Sequence, residues 1–351
     1  MEKKIYAALD ANINRAVEGL RVCEDVFRFV VNNENISKKL KKIRHDITGS
    51  LQFIDQHLLL NGRDVENDSL KFIDLAGELS RDSLYELVKS NLHRAIEASR
   101  SIEEFIKLLN LDEKKNSFQV IRFSLYTLEK ELFSVLEKSQ KIEKFTNSLY
   151  AILDSSFIKN DEYAETVVNF IDGGAKIIQL RMKQESHKKT LSVAREISKI
   201  CKEREVVFIV NDYPEIAYLS EADGIHLGAD DLPVEEARRI LPYNMLIGIS
   251  THSMEDAIQA IKQKPDYIAI GPAFDTKSKN GDLIKGLDKD IIKNVTEEVK
   301  IPTVCIGGLN PERVASLKNI NCSCFAVISY LYKDGCIEEN CKKIIESIGK
   351  E

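Results

Sequence analysis

At 351 residues the chain exceeds one ordinary core of roughly 100 to 200 residues, so two domains are expected. Its hydrophobic (43%) and charged (30%) fractions exclude a mostly disordered or collagen-like chain. No apolar run reaches the roughly 20 residues of a membrane span, nor does one open the chain as a signal peptide. Fifty basic against fifty-six acidic residues leave a net charge of −6, which disfavours nucleic acid as a partner unless positive charge is locally clustered; seven scattered cysteines without CxxC spacing suggest no disulfide framework and point to a reducing cytoplasm.

In chain order, the first elements are helices. Apolar residues recur at three- and four-residue spacing over 13–31, 36–59, 81–109 and 116–143, and no proline precedes Pro214. Residues 1–140 therefore read as an all-α helical domain, and 141–147 as a linker. From Ser148 the period changes. The runs SLYAILD, AKIIQLRMK, VVFIVND, ADGIHLG, NMLIGIS, DYIAIGP, PTVCIGGL and CSCFAVIS alternate with amphipathic stretches at 161–172, 188–203, 233–241, 253–262 and 311–317. Eight strand-helix units in succession predict a parallel α/β fold, a (β/α)8 TIM barrel over 148–351, with its chemistry at the C-terminal strand ends.

The helical half carries an internal repeat. Asn12, Arg15, Ala16, Glu18, Arg21, Glu24 and Asp25 recur, 79 residues on, as Asn91, Arg94, Ala95, Glu97, Arg100, Glu103 and Glu104. Two equivalent helices about a pseudo-twofold axis would explain this. Helix-stabilising ion pairs on a solvated face account for the charges alone, but not for the matching asparagine and alanine. Arginines that grip phosphate, with carboxylates that orient them or hold a metal, are the functional alternative. Arg44, His45, Arg63 and Asp64 join them as candidates. Neither GxxxxGK[ST] nor GxGxxG occurs here, so the residues alone suggest an anion site on a helical bundle.

In the barrel half, Arg181 and Lys183 stand two apart at one strand end and share a face, as two cations meeting one polyanion would. Asp212 and Asp231 end neighbouring strand units, and two carboxylates beside a phosphate fit Mg2+. Thr276, Lys277, Ser278 and Lys279 form a loop that can grasp phosphate. Gly307 and Gly308 follow the seventh strand, where such barrels recurrently bind one. Two anionic groups, hence two phosphorylated substrates, are implied. His226 reads as a core histidine and His252 as a residue just past a strand end, and neither has a triad-like partner.

In order and spacing, QLRMK, VNDY, GIHLGADDLP, GIST, GPAFDTKSK, IGGLN and VIS resemble thiamine-phosphate synthases over about residues 148–349. The resemblance implies that the barrel joins hydroxymethylpyrimidine diphosphate to a thiazole phosphate and releases diphosphate. It implies that Gln179, Leu180, Arg181, Met182, Lys183, Asn211, Ser250 and Lys279 hold the pyrimidine diphosphate, with Arg181, Lys183, Ser250 and Lys279 as the catalytic set. Asp212 and Asp231 would bind Mg2+, and Thr276, Lys277, Ser278, Gly308, Ile328 and Ser329 the thiazole phosphate. Ala229 and Asp275 depart from the family's glutamine and proline, and Ser278 replaces a threonine. The helical half, from LDANINRAVEGLRVCEDVFRF through KKIRHDI and GRD to NLHRAIEASRSIEEF, resembles a small hydroxymethylpyrimidine-phosphate kinase domain that uses ATP. Its implied site comprises Asn12, Arg15, Glu18, Arg21, Glu24, Arg44, His45, Arg63, Asp64, Asn91, Arg94, Glu97, Arg100 and Glu103. The competing readings are a thiazole tautomerase barrel and a noncatalytic sensor or assembly module in the helical half, with homo-oligomerisation open.

Overall fold

The computed structural model describes residues 2–63, 81–109, 112–277 and 283–349. It divides into two compact units, Met1–Leu136 and Glu137–Glu351.

In the first unit the apolar stripes fold into α1 (Glu2–Asp25), α2 (Glu34–Gly49), α3 (Gln56–Gly62), α4 (Leu84–Leu108) and the start of α5 (Asp112–Glu143), with a π-helical turn, Val26–Val30, closing α1. The stretch 36–59 is not one helix. It breaks after Gly49, and Asp55 starts α3 by accepting a hydrogen bond from the His57 amide (2.8 Å). α1 and α4 pack antiparallel: the Cys23 thiol donates to the Val88 carbonyl (3.6 Å), while Gly19 lies against the Asn91 carbonyl and Ala95. Residue numbers thus rise along one helix as they fall along the other, around the repeat mates Ala16 and Ala95, both fully buried.

The repeat extends beyond the helices that revealed it. Asn12 donates to the Ala8 carbonyl (2.8 Å) and Asn91 to that of Leu87 (2.9 Å). Glu24, on α1, pairs with Arg44 of α2 (3.1 Å), and Glu103, on α4, with Arg122 of α5 (3.3 Å). The unit is therefore two copies of one helical hairpin. Asp25 and Glu104 are 79 apart, but the equivalent arginines Arg44 and Arg122 only 78. Between them the first copy has the five residues Val26–Val30 where the second has four, Phe105–Leu108; a π-turn is how a helix accommodates one extra residue.

In the second unit, eight parallel strands among the described residues close into a barrel in the order β1-β10-β9-β6-β5-β4-β3-β2. They are β1 (Ser148–Asp154), β2 (Ile177–Arg181), β3 (Val207–Asn211), β4 (Gly224–Leu227), β5 (Leu246–Thr251), β6 (Tyr267–Ile270), β9 (Thr303–Ile306) and β10 (Cys324–Val327). Each falls in one of the eight expected runs. Helices α6 (Tyr163–Asp172), α7 (His187–Glu203), α9 (Val234–Ile240), α10 (Met254–Lys262) and α12 (Pro311–Ala315) also lie where periodicity predicts them. Three further helices, α8 (Pro214–Leu219), α11 (Lys289–Glu298) and α13 (Ile337–Gly349), lie outside the predicted stretches. A two-residue hairpin, β7 (Thr276–Lys277) with β8 (Leu283–Ile284), occupies part of the expected loop.

The stretch expected as a linker, 141–147, is structured. α5 runs to Glu143, Lys138 and Lys141 pair with Asp266 (2.9 Å) and Asp223 (3.0 Å), and the fully buried Phe145 enters the barrel's lower core, 4.8 Å from the Tyr267 ring. Apolar burial closes that end, which leaves the opposite rim for polar side chains.

Candidate active site

The C-terminal strand ends surround a cavity of about 180 Å3, lined by Gln179, Arg181, Lys183, Asn211, Asp212, Gly228, Ser250 and Ile328, over a floor of Tyr150 and His226. Strand alternation selects them. In QLRMK the first, third and fifth residues face the cavity, whereas Leu180 and Met182 are buried in the core between strands and helices.

Pairing of β1 with β2 sets Asp154 beside Arg181, and the Arg181 guanidinium donates to its carboxylate at 2.5 Å. Burial alone would raise the Asp154 carboxyl; the hydroxyl and amide of Ser156 and the Arg181 charge outweigh it and hold the group below its ordinary range. Lys183 lies 3.3 Å from Asp212. Burial raises the Asp212 carboxyl, and the neighbouring Asp231 carboxylate adds to this against the pull of Lys183. Asp231 in turn accepts the Gly228 amide (2.6 Å). Two half-buried carboxylates that repel each other, beside two cations, form a donor set suited to a small hard divalent ion completed by phosphate and water oxygens.

On the far side Ile328 lines the cavity, while Ser329 is exposed. Gly307 and Gly308 adopt φ of +105° and +64°, which bring this turn close to Pro272 and the Asp275 carbonyl; a side chain there would be both strained and obstructed. Thr276 is half-buried in β7, and Ser278 and Lys279 lie outside the described residues. The departure at Asp275 has a local use: its carboxylate accepts the Gly286 amide (2.7 Å) and ties the base of the hairpin.

Beneath the cavity, His226 is buried between the Tyr267 hydroxyl (3.1 Å from Nδ1) and the Ser250 hydroxyl (2.9 Å from Nε2), as its core reading anticipates. Burial lowers its pKa from 6.5 to about 4. Between these values the unfolded chain binds the proton that the folded ring refuses, so stability falls as pH drops below 6.5 and the loss levels off only below about 4. From pH 7 to 5 this contributes a loss of about 2 kcal/mol. Urea unfolding of the barrel at the two pH values should show that component in the native chain and lack it in His226→Gln; equal slopes would remove His226 as its source. His252 sits above, with Nδ1 2.6 Å from the Gly271 carbonyl.

In the helical unit the expected residues divide. Arg15, Glu18, Arg94 and Glu97 are exposed; Arg21 and Arg100 are tied to Asp25 (3.3 Å) and Glu104 (2.6 Å) one turn on. Arg44 is spent on Glu24, and His45 is exposed. Arg63 forks onto the buried Asp10, its Nη2 3.0 Å from Oδ1, and Asp64 lies outside the described residues. Asp10, Asp154, Tyr150 and Tyr267 are not among the residues that the sequence predicts. The aspartate that ends SLYAILD, a polar residue at a strand end like the others, is the available signal for Asp154.

A closed parallel barrel whose rim gathers cations, a carboxylate pair and a glycine turn defines an enzyme that handles phosphorylated substrates. Residues 149–331 match the family described as thiamine monophosphate synthase, and residues 7–131 match the ThiD2 family. The thiamine-phosphate synthase of Prochlorococcus marinus subsp. pastoris is 36% identical over 99% of this chain and 96% of its own length. That of Persephonella marina is 39% identical over 58% of this chain and 96% of its own. Among solved structures, thiamine phosphate pyrophosphorylase from Pyrococcus furiosus superposes with a TM-score of 0.52 at 28% identity, over 59% of this chain and 96% of that one. The chain belongs to the thiamine monophosphate synthase family, enzymes of thiamine biosynthesis. Relatives matched by little more than half of it are nearly spanned, whereas the Prochlorococcus protein matches both halves. No described helix is long and apolar enough to cross a membrane, and all seven cysteines are free.

Proposed function

We propose that the barrel, residues 148–351, joins hydroxymethylpyrimidine diphosphate to a thiazole phosphate with loss of diphosphate. The observation that carries this is the gathering of Arg181, Lys183, Asp212, Asn211, Gln179 and Ser250 around one cavity. The pyrimidine–diphosphate bond breaks as negative charge builds on the departing group, and Arg181, held by Asp154, and Lys183 are already in place to receive it. Lys279 would join them. The thiazole nitrogen then captures the pyrimidinylmethyl cation. Little proton transfer is required, which fits a rim rich in cations whose buried histidine is neutral. Asp212 and Asp231 would hold Mg2+, which when bound offsets diphosphate charge. Thr276, Lys277, Ser278, Gly308, Ile328 and Ser329 would hold the thiazole phosphate. Retention of Arg181, Lys183, Asp212 and Asp231 favours the synthase over a tautomerase.

For the helical domain, residues 1–140, the reading is phosphorylation of hydroxymethylpyrimidine phosphate by ATP, supported by the ThiD2 match over 7–131. Arg15 and Arg94, exposed on the repeat, are its candidate phosphate ligands. One observation favours a purely structural role instead: Arg21, Arg100, Glu24 and Glu103 are engaged in ion pairs. The test is thiamine phosphate formation by the full chain from the pyrimidine monophosphate, thiazole phosphate and MgATP, beside a mixture supplying the pyrimidine diphosphate without ATP. Product in both is expected. Product from the diphosphate alone would assign the helices to assembly or sensing, and product from neither would sink the synthase reading.

A further inference from the structure

Five uncharged side chains from five strands form one continuous hydrogen-bonded line under the cavity. Gln179 Nε2 lies 2.9 Å from the Tyr150 hydroxyl, which is 3.1 Å from that of Tyr267. Tyr267 reaches His226 Nδ1 at 3.1 Å, and His226 Nε2 reaches Ser250 Oγ at 2.9 Å. The two ends, Gln179 and Ser250, and the floor residues Tyr150 and His226 line the cavity, while Tyr267 is fully buried beneath it. Tyr267 can lie across the barrel because residue 248 is glycine: a Cβ there would stand 2.0 Å from the ring.

Each hydroxyl, and the neutral imidazole, owns one polar hydrogen, so all the links can be made only if the hydrogens point one way along the line. Two states satisfy it. In one, the Gln179 amide donates to Tyr150, Tyr150 to Tyr267 and Tyr267 to Nδ1; the imidazole hydrogen is then on Nε2 and goes to Ser250, whose own hydrogen is left to face the cavity. In the other, Ser250 gives its hydrogen to Nε2, as an activated nucleophile does, and the line ends on the Gln179 carbonyl oxygen. Arg181 and Lys183 fit the cavity for an anion, which the first state meets with a hydrogen and the second with a lone pair; the Gln179 amide, with its nitrogen toward Tyr150, accords with the first.

We infer that the line runs from Gln179 to Ser250, that Tyr267 and His226 are positioning residues, and that Ser250 acts as a hydrogen-bond donor to a lone pair of the bound substrate. Resting on the synthase reading, the acceptor is a ring nitrogen or phosphate-ester oxygen of the pyrimidine diphosphate, and Ser250 forms no covalent bond to it. The proton count balances without transfer, since every hydrogen stays on its own atom.

The decisive measurement is 15N NMR of the histidine-labelled full chain, with the His226 signals identified by their absence from His226→Gln and by their shift in Tyr267→Phe. The expected ring carries its hydrogen on Nε2. A hydrogen on Nδ1 would overturn the inference and leave the synthase reading standing. An Nε2 hydrogen in a chain without synthase activity would do the reverse, upholding the line and removing its substrate. Gln179→Glu supplies a carboxylate that only accepts, so it should reverse the line and move the His226 hydrogen to Nδ1; an unmoved hydrogen counts against it. Tyr267→Phe keeps the ring but cuts the line, and should raise KM for the pyrimidine diphosphate about tenfold while that for thiazole phosphate is unchanged. Equal changes in both would reduce Tyr267 to packing.

Discussion

Arg181→Ala should lower synthase kcat by about 10²- to 10³-fold, the scale on which one preorganised contact to a developing anion is felt. The guanidinium is held from one side by Asp154 at 2.5 Å and borders the cavity on the other. It therefore does not need to reorganise as the diphosphate leaves. Arg181→Lys keeps the charge but cannot fork between Asp154 and the leaving group, and should fall between the native chain and alanine. Asp154→Asn should lose about tenfold, because the arginine stays but its orientation is less strongly held. Steady-state kcat and KM for the pyrimidine diphosphate decide the matter. Near-normal kcat in the alanine variant would take Arg181 out of the leaving-group role, and a change confined to KM would make it a ground-state contact.

Gly248→Ala is expected to destabilise the barrel by about 3 kcal/mol, at the upper end for overpacking, because neither partner can yield. The added methyl would meet three atoms of the Tyr267 ring at 2.0 to 2.5 Å. That ring is stacked on His226 (centroids 5.6 Å apart) and backed by Phe145, and the methyl's own backbone is paired to β4 and β6. Urea unfolding followed by tyrosine fluorescence measures the loss. Tyr267→Ala in the same chain should recover part of it by vacating the space, so a double variant no more stable than Gly248→Ala would show that the collision is not the cause.

Much of this architecture is legible in the chain because parallel strands buried on both faces must read as short apolar runs, and each ends where polar residues begin. The eight runs and the inward set Gln179, Arg181, Lys183, Asn211, Asp212 and Ser250 follow from that alone. That the side chains of Leu180 and Met182 turn into the core is less plain, because a motif is written contiguously while a strand alternates its faces. Asp154 escaped notice since its partner, 27 residues on, becomes a neighbour only when β1 pairs with β2. Tyr150 and Tyr267 are 117 residues apart and look like any core aromatics; only barrel closure brings their hydroxyls within 3.1 Å. In the helices, spacing reveals the repeat but not that Glu24 and Glu103 are buried against arginines of the next helix, since a carboxylate on an amphipathic helix reads as solvated.

The doubled hairpin has a consequence for how that unit can change. Where two identical subunits meet on a twofold axis, any substitution is made twice, and a residue on the axis meets its own copy. Here Ala16 and Ala95 belong to one chain and are encoded separately, so each half can vary while the other preserves the interface. The extra residue in Val26–Val30 is such a change, taken by one half alone. Covalent linkage thus turns a symmetric scaffold into one on which two formerly equivalent surfaces can diverge in what they bind.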